Sequence, residues 1–250
     1  MARAIARKFL ARLLGRYGYV LREAALPPRG FSAFLEVYRR RAGLPRAVFD
    51  IGVGRGTPWL YEAFPDAAFT LVEPLTEFAG DIRDIQNRYD ASWHACALGE
   101  RDGESEILVP ETVKTGASLL AREANWAGAA AERGDSVVNP RQVPIRTLDS
   151  LAAETALPQV IKLDVEGAEL AVLRGGAATL RTTDLVLVEA SFMPRYEGGS
   201  DLTDLAFHLK QHGFRLAEIV DISTIGSDRL ISYVDAAFIR ADSRFWQGLS

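Results

Sequence analysis

In the run VFDIGVGRGTPWL, residues 48–60, an acid at Asp50 is followed by glycine at every second position: Gly52, Gly54 and Gly56. Glycines spaced this way let the backbone turn tightly and come close to a ligand. A helix starting just after them would offer free N–H groups and a positive dipole end. A second set, Lys162, Asp164 and Glu166, alternates within QVIKLDVEGAE and so starts on one side of an extended segment. Asp164 stands where that segment should end, and Glu189 takes the same place in the next one, DLVLVEA. Acids at such a rim can take a proton from a hydroxyl or orient it.

The elements that must carry these groups alternate. AVFDIG, AFTLVEP, SWHACAL, QVIKLDV and DLVLVEA read as strands, and FRLAEIV and DAAFIRA close the chain. TPWLYEAF, LTEFAGDIRDIQNRY, AELAVLRGGAATL and LTDLAFHLKQHG read as the helices between them, with Pro58 tolerated in a first turn. Continuous apolar strands joined by helices predict an α/β fold whose parallel sheet is covered on both faces. Residues 99–158 interrupt the alternation with the strand-like pieces SEILVP and QVPIRT and the Ala/Gly/Glu stretch AREANWAGAAAERGD. An insertion of this length suggests a lid or a substrate wall.

The loop chemistry separates two ligands. A dinucleotide loop wants G-x-G-x-x-G, and the third position counted from Gly52 is Thr57. Asp50 would repel a diphosphate and welcome an ammonium group. S-adenosylmethionine carries an ammonium, a carboxylate and a sulfonium, and no phosphate. Glu73, ending the second strand, can accept both hydroxyls of a ribose. The expected cradle is therefore Asp50, Gly52, Gly54, Gly56 and Glu73, with Cys96 and Ala97 beside the adenine. An NAD(P)-dependent oxidoreductase stays open as an alternative, as does a cofactor-binding or assembly protein without turnover.

VPIRTLDSL (143–151), VIKLDVEGAELAVLRGGAATL (160–180) and LVLVEASF (185–192) resemble the FkbM family of S-adenosylmethionine-dependent methyltransferases, most specifically in IKLDVEGAE. The resemblance covers roughly residues 47–240. It implies a class I methyltransferase, Rossmann-like fold, with a seven-stranded mostly parallel sheet whose last strand is antiparallel. It also implies O-methylation of a hydroxyl on a sugar of a polysaccharide, glycolipid or secondary product. Many members read D-x-G-A-N-x-G where this chain has DIGVGRG, so Val53, Gly54 and Arg55 depart from the pattern. GASLL, with Ser118, also resembles a family feature.

Asp164, then Glu166, are the expected catalytic acids; either could instead cap a helix start. Lys162 could pair with a neighbouring acid. Clustered carboxylates can bind Mg²⁺, but no Asp-Asp-Asn-type spacing occurs, and no metal is expected. His94 reads as a partly buried structural residue, His208 and His212 as surface residues, and Phe192, Met193 and Tyr196 as an acceptor wall or core filling.

Residues 1–46 hold eleven basic and two acidic side chains, a local +9 against −13 over the rest and −4 in total. The chain therefore divides into a basic helical extension, 1–46, and a methyltransferase domain, 47–250. Ile5, Phe9, Leu13 and Tyr17 give the first helix an apolar stripe. A second helix should follow an N-cap at Ser32 and stop near Gly43. The stripe suits packing on the domain, a homodimer contact, or peripheral membrane contact through residues 1–28. The acidic body argues against nucleic acid. One cysteine and the absence of a span-length apolar run fit a cytoplasmic protein, and the resemblance implies a small-molecule or glycan acceptor.

Overall fold

The computed structural model describes residues 27–111, 114–123, 138–193 and 195–248. The basic helix expected over the first twenty-odd residues and most of AREANWAGAAAERGD lie outside them.

Seven strands form the main sheet: β1 (Ala47–Ile51), β2 (Ala68–Val72), β3 (Ala91–His94), β7 (Val160–Leu163), β8 (Leu185–Ser191), β9 (Phe214–Ile225) and β10 (Leu230–Arg240). Their order is β3-β2-β1-β7-β8-β10-β9. Every residue of β1 and of β7 is buried, as continuous apolar runs at the centre of a two-sided sheet must be. β10 runs antiparallel to both β8 and β9, and the pairs on the other side are parallel. The order reverses between β1 and β7, where ligands of doubly wound sheets bind.

Helices α1 (Phe31–Ala42), α2 (Pro58–Ala63) and α3 (Ala79–Gln86) pack on one face around Phe34, Leu60, Phe64 and Ile82. Helices α4 (Leu148–Ala152), α5 (Glu169–Arg174) and α6 (Leu202–Gln211) cover the other around Phe49, Leu163, Val172 and Leu205. A second sheet, β4-β6-β5, is built by β4 (Ala97–Leu98), β5 (Gly103–Pro110) and β6 (Val138–Arg146).

Three local expectations change. SWHACAL is not one strand: β3 ends at His94, and β4 leaves for the second sheet. The helix over AELAVLR runs only to Arg174, and Gly175 at its end packs so closely on Gly99 that a Cβ there would fall 2.2 Å from its carbonyl oxygen. Ser32 is not an N-cap. α1 begins at Phe31 behind Gly30, whose N–H donates to Val220 O at 3.0 Å.

α1 belongs to the body it packs on. Tyr38 donates to Asp184 at 2.7 Å, Arg41 to the carbonyl of Phe245 at 2.6 Å, and Arg29 pairs with Glu218 at 2.8 Å. Among the described residues no helix is long and apolar enough to cross a membrane.

Candidate active site

A cavity of about 520 Å³ opens at the reversal point. Gly52, Gly54, Gly56, Glu73, Cys96 and Ala97 line it on the β1–β2 side, and Asp164 and Glu166 on the β7 side. Of the residues expected to hold the cofactor or act in catalysis, only Asp50 is not on its wall.

Asp50 is fully buried at 0% exposure. Its carboxylate accepts from the Tyr61 hydroxyl on α2, and Lys162 Nζ lies 3.4 Å away. Asp50, expected to meet a ligand ammonium, instead sits inside the strand facing Tyr61 and Lys162, and its Oδ1 has no hydrogen-bond partner among the described residues. Burial alone would lower the Lys162 pKa, but Asp50 and Asp164 hold it above its ordinary range. Lys162 Nζ also donates to Gly52 O at 2.6 Å and stands 3.5 Å from Asp164, so one cation joins loop, β1 and β7. Gly52 has φ 78, and a Cβ there would fall 1.7 Å from Asp164 O. Only glycine fits between the two strand ends.

Glu73 accepts the N–H groups of Gly54 and Leu75, both at 2.9 Å. It is 6% exposed, and burial is the main cause of its raised pKa. Its side chain holds the glycine loop open, and its oxygens keep lone pairs for a hydroxyl on the cavity side. The insertion supplies wall: Ile107, Lys114, Thr115, Ala117 and Leu119 line the cavity, Thr115 beside Gly54 of the loop.

Beyond β7 the backbone swings into a strained turn. Glu166 has φ 53, a left-handed conformation unusual for a side chain with a Cβ. Three contacts fix it: Ser118 Oγ donates to Glu166 O at 2.6 Å, Arg195 donates to its carboxylate at 2.9 Å, and the Tyr196 hydroxyl donates to the same oxygen. Glu169 closes the turn from below, accepting from Val165 N and Gly167 N at 3.1 Å. Burial pushes its carboxyl up to about 7. GASLL thus has a structural task through Ser118, and Glu169, in the first turn of α5, is buried and holds the turn.

Arg195 also donates to Glu189. The carboxylates of Asp164, Glu166 and Glu189 approach within 4.8 Å of one another, a spacing a divalent cation could bridge. Arg195 already brings positive charge to both glutamates. Burial raises the pKa of Glu166 and of Glu189, with Arg195 opposing it.

Phe192 and Met193 face outward, 47% and 37% exposed, and Tyr196 is buried behind Glu166, so none of the three is an acceptor wall. Aromatic residues that the sequence did not single out border the cavity instead. Phe31 and Trp59 stack at 3.9 Å, and both rings border the cavity. Asp221, Ser223, Tyr233 and Asp235 of β9 and β10 border it from the far side. The signal for Asp235 was a lone acid in the apolar strand LISYVDAAFIR. Nothing in the sequence pairs Phe31 with Trp59. His94 is off the cavity wall; burial lowers its pKa first, and Arg146 adds to the effect.

Strand order, the antiparallel β10 and a glycine loop at the reversal point define the class I methyltransferase fold. The family model described as "Methyltransferase FkbM domain" matches residues 50–216. The chain belongs to the FkbM methyltransferase family. No curated protein matches it. Among solved structures it is similar to the methyltransferase FkbM of Methylobacillus flagellatus KT, with 16% identity, TM-score 0.49, and 78% of this chain against 43% of that one. The chain thus spans less than half of that protein's length. It is similar to the magnesium protoporphyrin IX methyltransferase of Synechocystis PCC 6803, with 12% identity, TM-score 0.46, and 84% against 76%. It is also similar to the N-methyltransferase NodS of Bradyrhizobium japonicum WM9, with 12% identity, TM-score 0.46, and 86% against 89%. Family membership sets aside the NAD(P)-dependent oxidoreductase.

Proposed function

We propose that the chain transfers the methyl group of S-adenosylmethionine to a hydroxyl of a carbohydrate acceptor. The observation that carries the acceptor class is the cavity wall, to which the Phe31–Trp59 pair, Asp164, Asp221, Ser223 and Asp235 all contribute. A flat apolar ring pair beside carboxylates and a hydroxyl suits a sugar, whose ring faces are apolar and whose edges are hydroxylated.

In this reading Gly52, Gly54 and Gly56 give the donor's amino acid backbone contact, Glu73 takes the ribose hydroxyls, and Cys96 and Ala97 flank the adenine. Asp50 acts through Lys162 and Tyr61, holding the loop from inside. The bound donor supplies an electrophilic methyl on sulfur. The protein's contribution is to align the acceptor oxygen with it, which is where most of the acceleration of such a displacement arises. Asp164, 39% exposed in its side chain, is open to the acceptor, whereas Glu166 is tied to Arg195 and Tyr196 and positions the turn. The basic first helix would bring the domain to lipid-linked glycans at a membrane surface, or to a second copy of the chain.

The test is a screen of glycan and lipid extracts with methyl-labelled S-adenosylmethionine, following S-adenosylhomocysteine release. Label in a glycan fraction is the expected result; label confined to protein, nucleic acid or a non-glycan metabolite would overturn the acceptor class.

A further inference from the structure

Four carboxylates stand in a row across four neighbouring strands. Leu163 of β7 is level with Val188 of β8, so Asp164 follows level with Glu189. Glu189 is paired with Asp235 of β10, and Asp235 with Asp221 of β9. Adjacent strands lie about 4.8 Å apart, and like charges directly opposite one another destabilise a sheet. All four border the cavity.

Three members of the row have partners. Asp164 is near Lys162, Glu189 is held by Arg195, and Asp221, exposed to solvent, accepts Ile222 N at 2.9 Å. Asp235 is flanked on both sides by other acids and has no hydrogen bond or ion pair among the described residues. A half-buried carboxyl on the acceptor side of a methyl-transfer cavity, left without a donor, has its lone pairs free for the acceptor.

The geometry points to Asp235 as the catalytic base that takes the proton of the acceptor hydroxyl, an inference that rests on the hydroxyl reading above. The acceptor oxygen bonds to the methyl carbon as the carbon–sulfur bond breaks. The bonding pair stays on sulfur, and the hydroxyl proton passes to a carboxylate oxygen of Asp235. Burial, then Asp164 and Asp221, push the Asp235 carboxyl up to about 7, with Lys162 opposing, which matches a base to neutral pH. The charged and titratable groups facing it are Glu189 from β8, held by Arg195, Asp221 from β9, Asp164 and Lys162 from β7, and Tyr233 on its own strand.

Two measurements test it. In protein carrying carboxyl-¹³C aspartate and loaded with S-adenosylhomocysteine, the resonance lost in Asp235→Asn should be in its ionised, proton-accepting form by about pH 8; a resonance still protonated at about pH 9 would overturn the inference without any acceptor. In the glycan fraction that takes label from the parent protein, Asp235→Asn should slow turnover about 10²- to 10⁴-fold, the usual worth of a general base. Its S-adenosylhomocysteine affinity by calorimetry should stay within about twofold, the acid limb of its rate profile should vanish, and Asp235→Glu should restore part of the rate. Turnover within twofold of the parent would overturn the base assignment. If the parent labels only a hydroxyl outside the glycan fraction, the acceptor class fails, and the same comparison of parent and Asp235→Asn turnover on that acceptor decides for or against Asp235.

Discussion

A buried lysine that meets two acids and a carbonyl oxygen sets the electrostatics of this site. Removing Lys162 leaves Asp50 fully buried, with Tyr61 as its remaining partner. Stripping one partner from a buried ion pair is far more costly than removing both. Lys162→Met should therefore destabilise by about 3–5 kcal/mol, and Asp50→Asn combined with Lys162→Met by distinctly less; urea melts of the four proteins check this. Glu169 gives a pH-dependent case. Its carboxyl, pushed up to about 7 by burial, sits above the ordinary glutamate value of the unfolded chain. The folded form thus holds a proton the unfolded form has released between about pH 4 and 7. The contribution is fully present below about pH 4 and is lost as pH rises through about 7. Glu169→Gln should flatten the fall in stability across that window, and Glu169→Ala should cost about 1–3 kcal/mol by stranding Val165 N and Gly167 N. Equal slopes for parent and Glu169→Gln would show that the group ionises normally.

The strand ends decide how tightly the ligand loop is held. Gly52 fills the gap between β1 and β7, and an alanine Cβ would overlap backbone, which cannot yield as a flexible side chain could. Gly52→Ala should reduce S-adenosylhomocysteine affinity at least tenfold by moving the Gly52–Gly56 loop off Glu73; calorimetry at constant protein stability separates this from global unfolding. The strand-to-helix units AVFDIG–TPWLYEAF and QVIKLDV–AELAVLR were legible because continuous apolar runs end in glycine or an acid, a local pattern. The end of α5 and the split of SWHACAL were not. The first lies against Gly99 and the second follows the pairing of β4 with β6, partners distant in sequence from each.

For the molecule as a whole, the extension from Pro27 onward is joined to the body by the Tyr38–Asp184 and Arg29–Glu218 contacts, and Phe31 borders the cavity. Ligand binding and global stability are therefore coupled. S-adenosylhomocysteine at a hundredfold over its dissociation constant should stabilise by about 2.7 kcal/mol, a rise in melting temperature of roughly 5–10 °C for a chain of this size, and NAD should give none. A shift with NAD instead would contradict the donor assignment.

The sequence alone determined what depends on neighbours along the chain: the α/β alternation, the glycine loop after an acid, the strand-end acids at Glu73 and Asp164, and the family resemblance in IKLDVEGAE. Those signals are local because periodicity, turn chemistry and helix starts are local. Only the tertiary structure decided which acids face the ligand. It turned Asp50 inward onto Lys162, tied Glu166 to Arg195, stacked Phe31 on Trp59, and set Asp235 in line with Glu189 and Asp221. A side chain's charge state and availability depend on partners brought from elsewhere in the chain, and strand register, which nothing local encodes, places those partners.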